Sequence, residues 1–300
     1  MKIGIDIGGS HVAVGLIDLN GKIICKSEED FAINFKKTKR EEQLIDIIIK
    51  QIGYVLDKKN IDITKISLIG IAVPGMVSES KILKAENLHI NNFDIVSEIN
   101  KYYNVPIKLR NDAKCAALAE REYGSLRKVE DGVFITIGTG IGGAIFLKGE
   151  LLVPKKYEGF EIGHIVVQKN GLKCNCGRKG CFERYASIRT LREKVKKELK
   201  LKDIDGENLR KIIEEESNEK TRKIVDEYIG DLSLGLANLI NIFEPEVVSI
   251  GGSFAYYEKI LLNKLKEKIN EEALFNKENP PKIVLAKLKN DAGIVGAVIE

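Results

Sequence analysis

The sequence predicts an α/β protein of two domains, and three observations carry that expectation. The chain has 300 residues, more than a single hydrophobic core usually fills. The opening segment IGIDIGGSHVAVGLIDLNGKII (3–24) returns in outline as VFITIGTGIGGAIFLKGELL (133–152), so two halves begin on one plan. Around these segments, short β-branched runs alternate with longer stretches of helical period, as a mixed α/β fold requires.

Each half opens as strand, Gly-rich turn, strand, turn, strand, with Leu-x-Gly at the second turn (Leu19 to Gly21; Leu147 to Gly149). Between the openings come a helix at 41–57 and strands at 66–73 and 106–109. The strand in IKLRNDAKCAALAEREYG (107–124) leads through Asn111-Asp112 into an alanine-rich helix that Gly124 ends. Asp112 falls where an N-cap belongs, and capping is its plain structural role. After the second opening comes a cysteine-rich stretch, then helices at 186–200, 208–215 and 219–243. A strand at 246–250, a helix at 256–271, a strand at 282–286 and a short helix after Asp291 complete the chain. The expected division is a first domain of 1–112 plus 290–300 and a second of 113–289, with hinges near 110–113 and 288–292.

Composition narrows the function classes. Lys+Arg and Asp+Glu nearly balance at 48 to 44, without long runs of one sign. That argues against a nucleic-acid platform, which needs clustered basic charge. The N-terminus lacks the pattern of a secretory signal, and no apolar run approaches membrane-spanning length. Five cysteines without an export signal point to a reducing, cytoplasmic setting, where a disulfide framework is not expected.

Three glycine turns carry the first chemistry. GTGIGG (138–143) fits Gly-x-Gly-x-x-Gly, but the dinucleotide fingerprint needs a following helix, and AIFL followed by Lys148-Gly149 reads as a strand. Such a turn, here Gly138, Thr139, Gly140 and Gly142, is either a plain hairpin or a cradle of amides for phosphate oxygens. DIGGS (6–10) is a second such turn, with Gly8, Gly9 and Ser10, preceded by an acid. Asp6 either caps the turn or organises a Mg²⁺ on nucleotide phosphates. IGGS (250–253), with Gly251 and Gly252, is a third, suited to ribose or phosphate. Together the turns suggest a nucleotide held between two domains.

The cysteine-rich stretch carries the second. His164, Cys174, Cys176 and Cys181 read His-x9-Cys-x-Cys-x4-Cys, a Cys₃His set that suits a closed, tetrahedral structural Zn²⁺. The Cys-x-x-Cys of redox proteins is absent from the stretch. Gly177 and Gly180 allow a tight bend around the ion, whereas Cys25 and Cys115 read as core residues. By residue type alone Glu161 and Glu183 are solvated acids.

DIGG, GTGIGG and IGGS in that order resemble the phosphate and adenosine motifs of the actin-like sugar kinases. Glu-x-Gly-His (161–164) with Cys-x-Cys-Gly-x-x-Gly-Cys-x-Glu (174–183) resembles, specifically, the ROK family (repressors, open reading frames, kinases), over essentially the full length. The resemblance implies two actin-like, ribonuclease H-like α/β domains with an interdomain cleft, closing on ATP·Mg²⁺ and a sugar. It implies Asp112 as the catalytic base, Asn111, Glu161, His164 and Glu183 as sugar ligands, and Gly75 approaching the sugar through its backbone. His164 would serve both sugar and zinc. The ROK repressors carry an added N-terminal winged helix; this chain starts at the first strand, so the kinase branch is expected. Glucose phosphorylated at the 6-hydroxyl is the favoured case, with fructose, mannose, allose and the N-acetylhexosamines as alternatives. The alternative of another class is a non-catalytic, sugar-sensing regulator. Relatives of this kind are commonly homodimers or homotetramers. The chain departs from the family pattern at Ser10-His11, at PKKYEGFE (154–161) and at AENLHI (85–90), which puts sugar identity in doubt.

Overall fold

In a computed structural model the described residues are 1–9, 11–30, 40–154, 161–215, 218–272, 274 and 280–300. The strands and helices in chain order are β1 (Lys2–Ile7), β2 (His11–Ile17), β3 (Ile23–Asp30), α1 (Arg40–Lys59), β4 (Leu68–Val73), β5 (Met76–Val77), β6 (Ile82–Ala85), β7 (Ile90–Phe93), α2 (Ile95–Asn100), β8 (Ile107–Asn111) and α3 (Asp112–Tyr123). They continue as β9 (Gly132–Ile137), β10 (Ile141–Leu147), β11 (Glu150–Leu151), α4 (Glu183–Ala186), α5 (Ile188–Glu198), α6 (Gly206–Glu214), α7 (Glu219–Phe243), β12 (Val247–Gly251), α8 (Glu258–Glu272), β13 (Lys282–Leu285) and α9 (Ala292–Ala297). The described residues of Met1–Gly124, Val153–Gly159 and Leu288–Glu300 form one compact unit, and those of Ser125–Leu152 and Phe160–Lys287 a second.

The first unit is built on a sheet of order β3-β2-β1-β4-β8. The first three strands are antiparallel, because tight hairpins join them, and β1, β4 and β8 run parallel. The Ile and Val side chains of β1, β2 and β4 pack with α1, which sends Leu44, Ile48, Ile52 and Val55 into the same core. On the other face lie α3 and α9. These helices approach closely because small residues line the contact: a Cβ on Gly70 would collide with the Ala297 carbonyl, and one on Gly4 with that of Ile294. Helix α3, expected to open the second domain, therefore belongs to the first unit, which the chain first leaves at Gly124/Ser125 and finally rejoins at Lys287/Leu288. A small antiparallel sheet of order β5-β6-β7 covers one end of this unit; the sequence reading did not foresee it, since its strands are only two to four residues long.

The second unit repeats the plan. Its sheet runs β11-β10-β9-β12-β13, with β9, β10 and β11 antiparallel and β9, β12 and β13 parallel. The duplicated sequence openings thus become topologically equivalent strands. The core of this unit joins the sheet to α5, α7 and α8 through residues such as Leu191, Tyr228, Leu232 and Leu265. The helix expected over 186–200 divides at Ser187, whose hydroxyl accepts the Thr190 N–H and so caps α5.

Candidate functional site

In the first unit the predicted residues gather at one end of the parallel strands, where α/β proteins place ligands. Asp6 lies near the end of β1, Gly75 just beyond β4, and Asn111 and Asp112 at the junction of β8 and α3. Asn111, not Asp112, caps α3: its Oδ1 accepts the N–H groups of Ala113 and Lys114 at 3.1 and 3.3 Å. The cap falls one residue earlier than expected because β8 runs through Asn111, whose extended backbone suits the cap position. Its amide nitrogen donates to the Gly75 carbonyl at 3.0 Å, which pins the Gly75 turn, at φ 95°, to the start of α3. Asp112 occupies the first turn, with its Oδ1 accepting the Ala113 N–H at 2.8 Å.

Asp6 is the electrostatic centre of this unit. Burial, reinforced by the charge of Asp112, pushes its carboxyl up to about 7. A Cβ on Gly293 would meet the carboxylate, so the second residue of α9 must lack a side chain. Lys26 draws the pKa of Asp6 the other way and bonds Asp291 at 3.0 Å. No sequence signal pointed to Lys26, Asp291 or Gly293, which lie far along the chain from Asp6. Gly8 and Gly9 turn from β1 into β2, closed by the Gly8 N–H bonding the His11 carbonyl at 2.8 Å. The His11 ring lies beside Gly8, and Asn87 of the altered 85–90 segment beside Gly9. Ser10 lies outside the described residues, as does 155–160 of the altered loop.

In the second unit the GTGIGG and IGGS turns meet because β9 and β12 are parallel neighbours that end together. Gly138, Thr139 and Gly140 form the β9–β10 turn, with the Gly138 N–H bonding the Gly140 carbonyl at 2.9 Å. Gly142 lies on β10 opposite Thr136. This is the strand–turn–strand read from the sequence, not a dinucleotide fingerprint. Gly251 ends β12, and Gly252, at φ 74°, packs on Thr136 and Ile137 so closely that a Cβ would stand 2.7 Å from the Ile137 carbonyl. A short 3₁₀ segment (Gly252–Tyr257) intervenes before α8.

The four candidate zinc ligands converge. One ligand atom from each of His164, Cys174, Cys176 and Cys181 lies within 4.8 Å of all the others. Cys176 and Cys181 Sγ are 3.6 Å apart, as are Cys174 Sγ and His164 Nδ1. A tetrahedral zinc with bonds of about 2.3 Å spaces its sulfurs about 3.8 Å apart, so the donor set and its dimensions fit that ion. Burial pushes the Cys174 thiol up to about 12 and raises Cys181; binding a divalent cation therefore releases protons. The loop closes through Gly177 and Gly180, at φ 89° and 81°, and Phe182, fully buried, anchors it on Gly235 of α7.

Glu183 follows immediately. Its Oε1 stands 3.4 Å from Cys174 Sγ and 3.9 Å from His164 Nδ1. Its Oε2 approaches the glycine turn: a Cβ on Gly140 would be 2.8 Å away. Glu161 is exposed, and its carbonyl accepts the His164 N–H at 2.9 Å. Between them Ile162 enters the core while Gly163 lies against the Ile141 carbonyl, which accounts for the order Glu-Ile-Gly-His. Within this unit the structure brings together His164, Glu183, the three cysteines and the turn at Gly140. None of the described helices is long and apolar enough to cross a membrane.

Comparison with known proteins agrees with this geometry. Residues 2–299 match the ROK family. The glucokinase of Thermotoga maritima is 32% identical over 98% of this chain and 95% of its own length. The xylose repressor of Caldicellulosiruptor bescii is 30% identical over 99% of this chain and 76% of its own. Among solved structures, a ROK family glucokinase from Streptomyces griseus, in complex with glucose and AMPPNP, superposes with a TM-score of 0.83 at 25% identity, covering 99% of this chain and 97% of that one. With its actin-like α/β architecture, its glycine turns and its Cys₃His cluster, the chain belongs to the ROK family.

Proposed function

We propose that this chain is an ATP-dependent hexose kinase that transfers the γ-phosphoryl group to the 6-hydroxyl of glucose. The observation that carries the reading is the grouping at the ends of β1, β4 and β8. An acid opens α3, its neighbour Asn111 is locked to Gly75, and Asp6 is near enough to Asp112 for their charges to couple. The glucokinase relatives support it.

In this reading Asp112 accepts the proton of the sugar hydroxyl as that oxygen attacks the γ-phosphorus. The bond to the bridging oxygen breaks and ADP leaves. Asn111, the Gly75 backbone, Glu161, Glu183 and His164 hold the remaining hydroxyls, so the attacking oxygen is oriented before reaction. The amides at Gly8 and Gly9, with Ser10, and those at Gly138–Gly142 hold phosphate oxygens, while Gly251 and Gly252 border the nucleoside. Asp6 would hold Mg²⁺, which neutralises phosphate charge. Zinc at the Cys₃His set would be structural, fixing His164 and Glu183.

A second reading has a specific support: several relatives are named xylose repressors, which favours a sugar-responsive regulator without turnover. A coupled ADP-release assay over glucose, fructose, mannose, allose, N-acetylglucosamine and N-acetylmannosamine separates the two. The kinase reading expects turnover with glucose foremost; a different preferred hexose would revise the substrate. No sugar-dependent ADP with any of them would leave the regulator. A homodimer or homotetramer, in the cytoplasm, completes the proposal; light scattering tests the assembly.

A further inference from the structure

The proposed mechanism leaves one fully buried carboxylate unused. Glu120, in the last turn of α3, has no exposed surface, a burial that acids tolerate only when their oxygens are occupied. Its Oε1 accepts the Leu288 N–H at 2.7 Å, across 168 positions of chain. Its Oε2 lies against Gly124, where a Cβ would collide with the carboxylate, and its backbone carbonyl accepts the Gly124 N–H at 3.0 Å. Gly124 and Leu288 are the residues at which the chain first leaves and finally rejoins the first unit, the excursion at Val153–Gly159 apart. One residue therefore holds both crossings. The second unit is anchored likewise. The Ser125 hydroxyl bonds that of Ser249, fully buried on β12, at 2.7 Å. The Ala286 N–H donates to the carbonyl of Ile250, the next residue of β12, at 2.9 Å. Between these anchors lie only the Gly124–Ser125 peptide on one crossing and Lys287 on the other.

We infer that Glu120 is the clamp of a hinge whose bending is confined to Gly124–Ser125 and Lys287. A hinge works when a few residues at the ends of elements absorb the change in φ and ψ while both flanks stay rigid. Here one flank is α3, fixed through Glu120, and the other is β12, fixed through Ser249 and Ile250. Because a single carboxylate holds both crossings on the first unit, the two do not yield independently, and bending keeps one axis. The inference rests on the kinase reading only for its consequence. In that reading Asp112 belongs to one unit and Glu161, His164 and Glu183 to the other, so a loosened clamp misplaces the base against the sugar. Glu120 touches no reactant and is a positioning residue.

The test compares Glu120→Ala, Glu120→Gln and Gly124→Ala with wild type, in the full chain with zinc bound. Hydrogen exchange without sugar or nucleotide is read at single amides by NMR. Glu120→Ala should raise exchange roughly 10- to 100-fold at Leu288 and at Gly124 together. Alanine is the better helix former, so a purely local effect would slow exchange at the end of α3. Gly124→Ala leaves Glu120 in place but displaces its carboxylate, and should raise exchange at Leu288; it decides the matter should Glu120→Ala not fold. Glu120→Gln keeps an acceptor oxygen and should exchange like wild type. In the coupled assay Glu120→Ala should lower kcat roughly 10- to 100-fold with the KM for ATP unchanged, and glutamine should restore it. A general loss of protection along α3, a Leu288 amide that stays protected in both alanine variants, or an unchanged kcat once both crossings exchange freely would overturn the inference. The two readings fail separately. Sugar-dependent ADP release by a protein whose crossings respond singly sinks this one alone. Crossings that loosen together in a protein without turnover on any hexose uphold it and sink the kinase.

Discussion

Replacing Asp6 with asparagine keeps the shape of the side chain and removes its charge. In the folded chain the Asp6 carboxyl titrates at about 7 instead of 3.8, chiefly because it is buried and secondly because Asp112 is near. A carboxyl with a raised folded-state pKa holds its proton more tightly when folded. Its ionisation therefore destabilises the fold progressively as pH rises through the window from about 4 to about 7, and fully above it. The rise from 3.8 to about 7, at about 1.4 kcal/mol per tenfold change in proton affinity, bounds the effect at about 4 kcal/mol; relaxation in an effective dielectric near 20 brings the expectation to roughly 2–3 kcal/mol. Without nucleotide or magnesium, Asp6→Asn should melt close to wild type at about pH 4 and roughly 4–10 °C above it at about pH 8. Scanning calorimetry of both proteins across that range reads the difference, in which the titrations common to both cancel. The variant should bind nucleotide with magnesium poorly, so stability and activity move in opposite directions. A difference independent of pH, or one that widens toward acid, would refute the electrostatic account of this site.

Other outcomes follow from the same geometry. Asp112→Asn should lower kcat roughly 10²- to 10⁴-fold with ADP affinity retained, measured by coupled assay and calorimetry; turnover near wild type would remove Asp112 from the role of base. Cys176→Ser should reduce zinc content by mass spectrometry, lower the melting temperature and raise the KM for sugar more than that for ATP. A fully active wild-type protein free of zinc would contradict the structural role of the cluster. Gly70→Ala, whose Cβ meets the Ala297 carbonyl, should cost roughly 1–3 kcal/mol in denaturant unfolding; a neutral result would mean that α9 shifts freely.

The sequence disclosed what is local and periodic. The duplicated openings and the strand after GTGIGG were legible because alternation and glycine spacing are properties of neighbouring residues. The Cys₃His cluster was legible because three of its residues lie within eight positions. What stayed hidden depends on tertiary contact. Asn111 and Asp112 are both good caps, and only the length of β8 decides between them. Helix α3 fell on the wrong side of the expected boundary because its partner, α9, arrives from the far end of the chain. The pairing of Lys26 with Asp291 spans 265 positions, and nothing near either residue announces it. The β5–β7 sheet escaped because strands of two to four residues carry too few alternations to register.

The position of α9 has a consequence for how the protein is made. Translation delivers β1 long before α9, yet Ile294 fills a place in the core beside Ala13 and Ile17, and Gly293 lies against the Asp6 carboxylate. The second unit has all its described strands before α9 is synthesised. A nascent chain can therefore complete the strands of the later domain while one face of the earlier sheet carries α3 without α9. A chain truncated just before α9 would keep every described strand of the second unit and lose from the first the helix that packs on β1, β2 and β4.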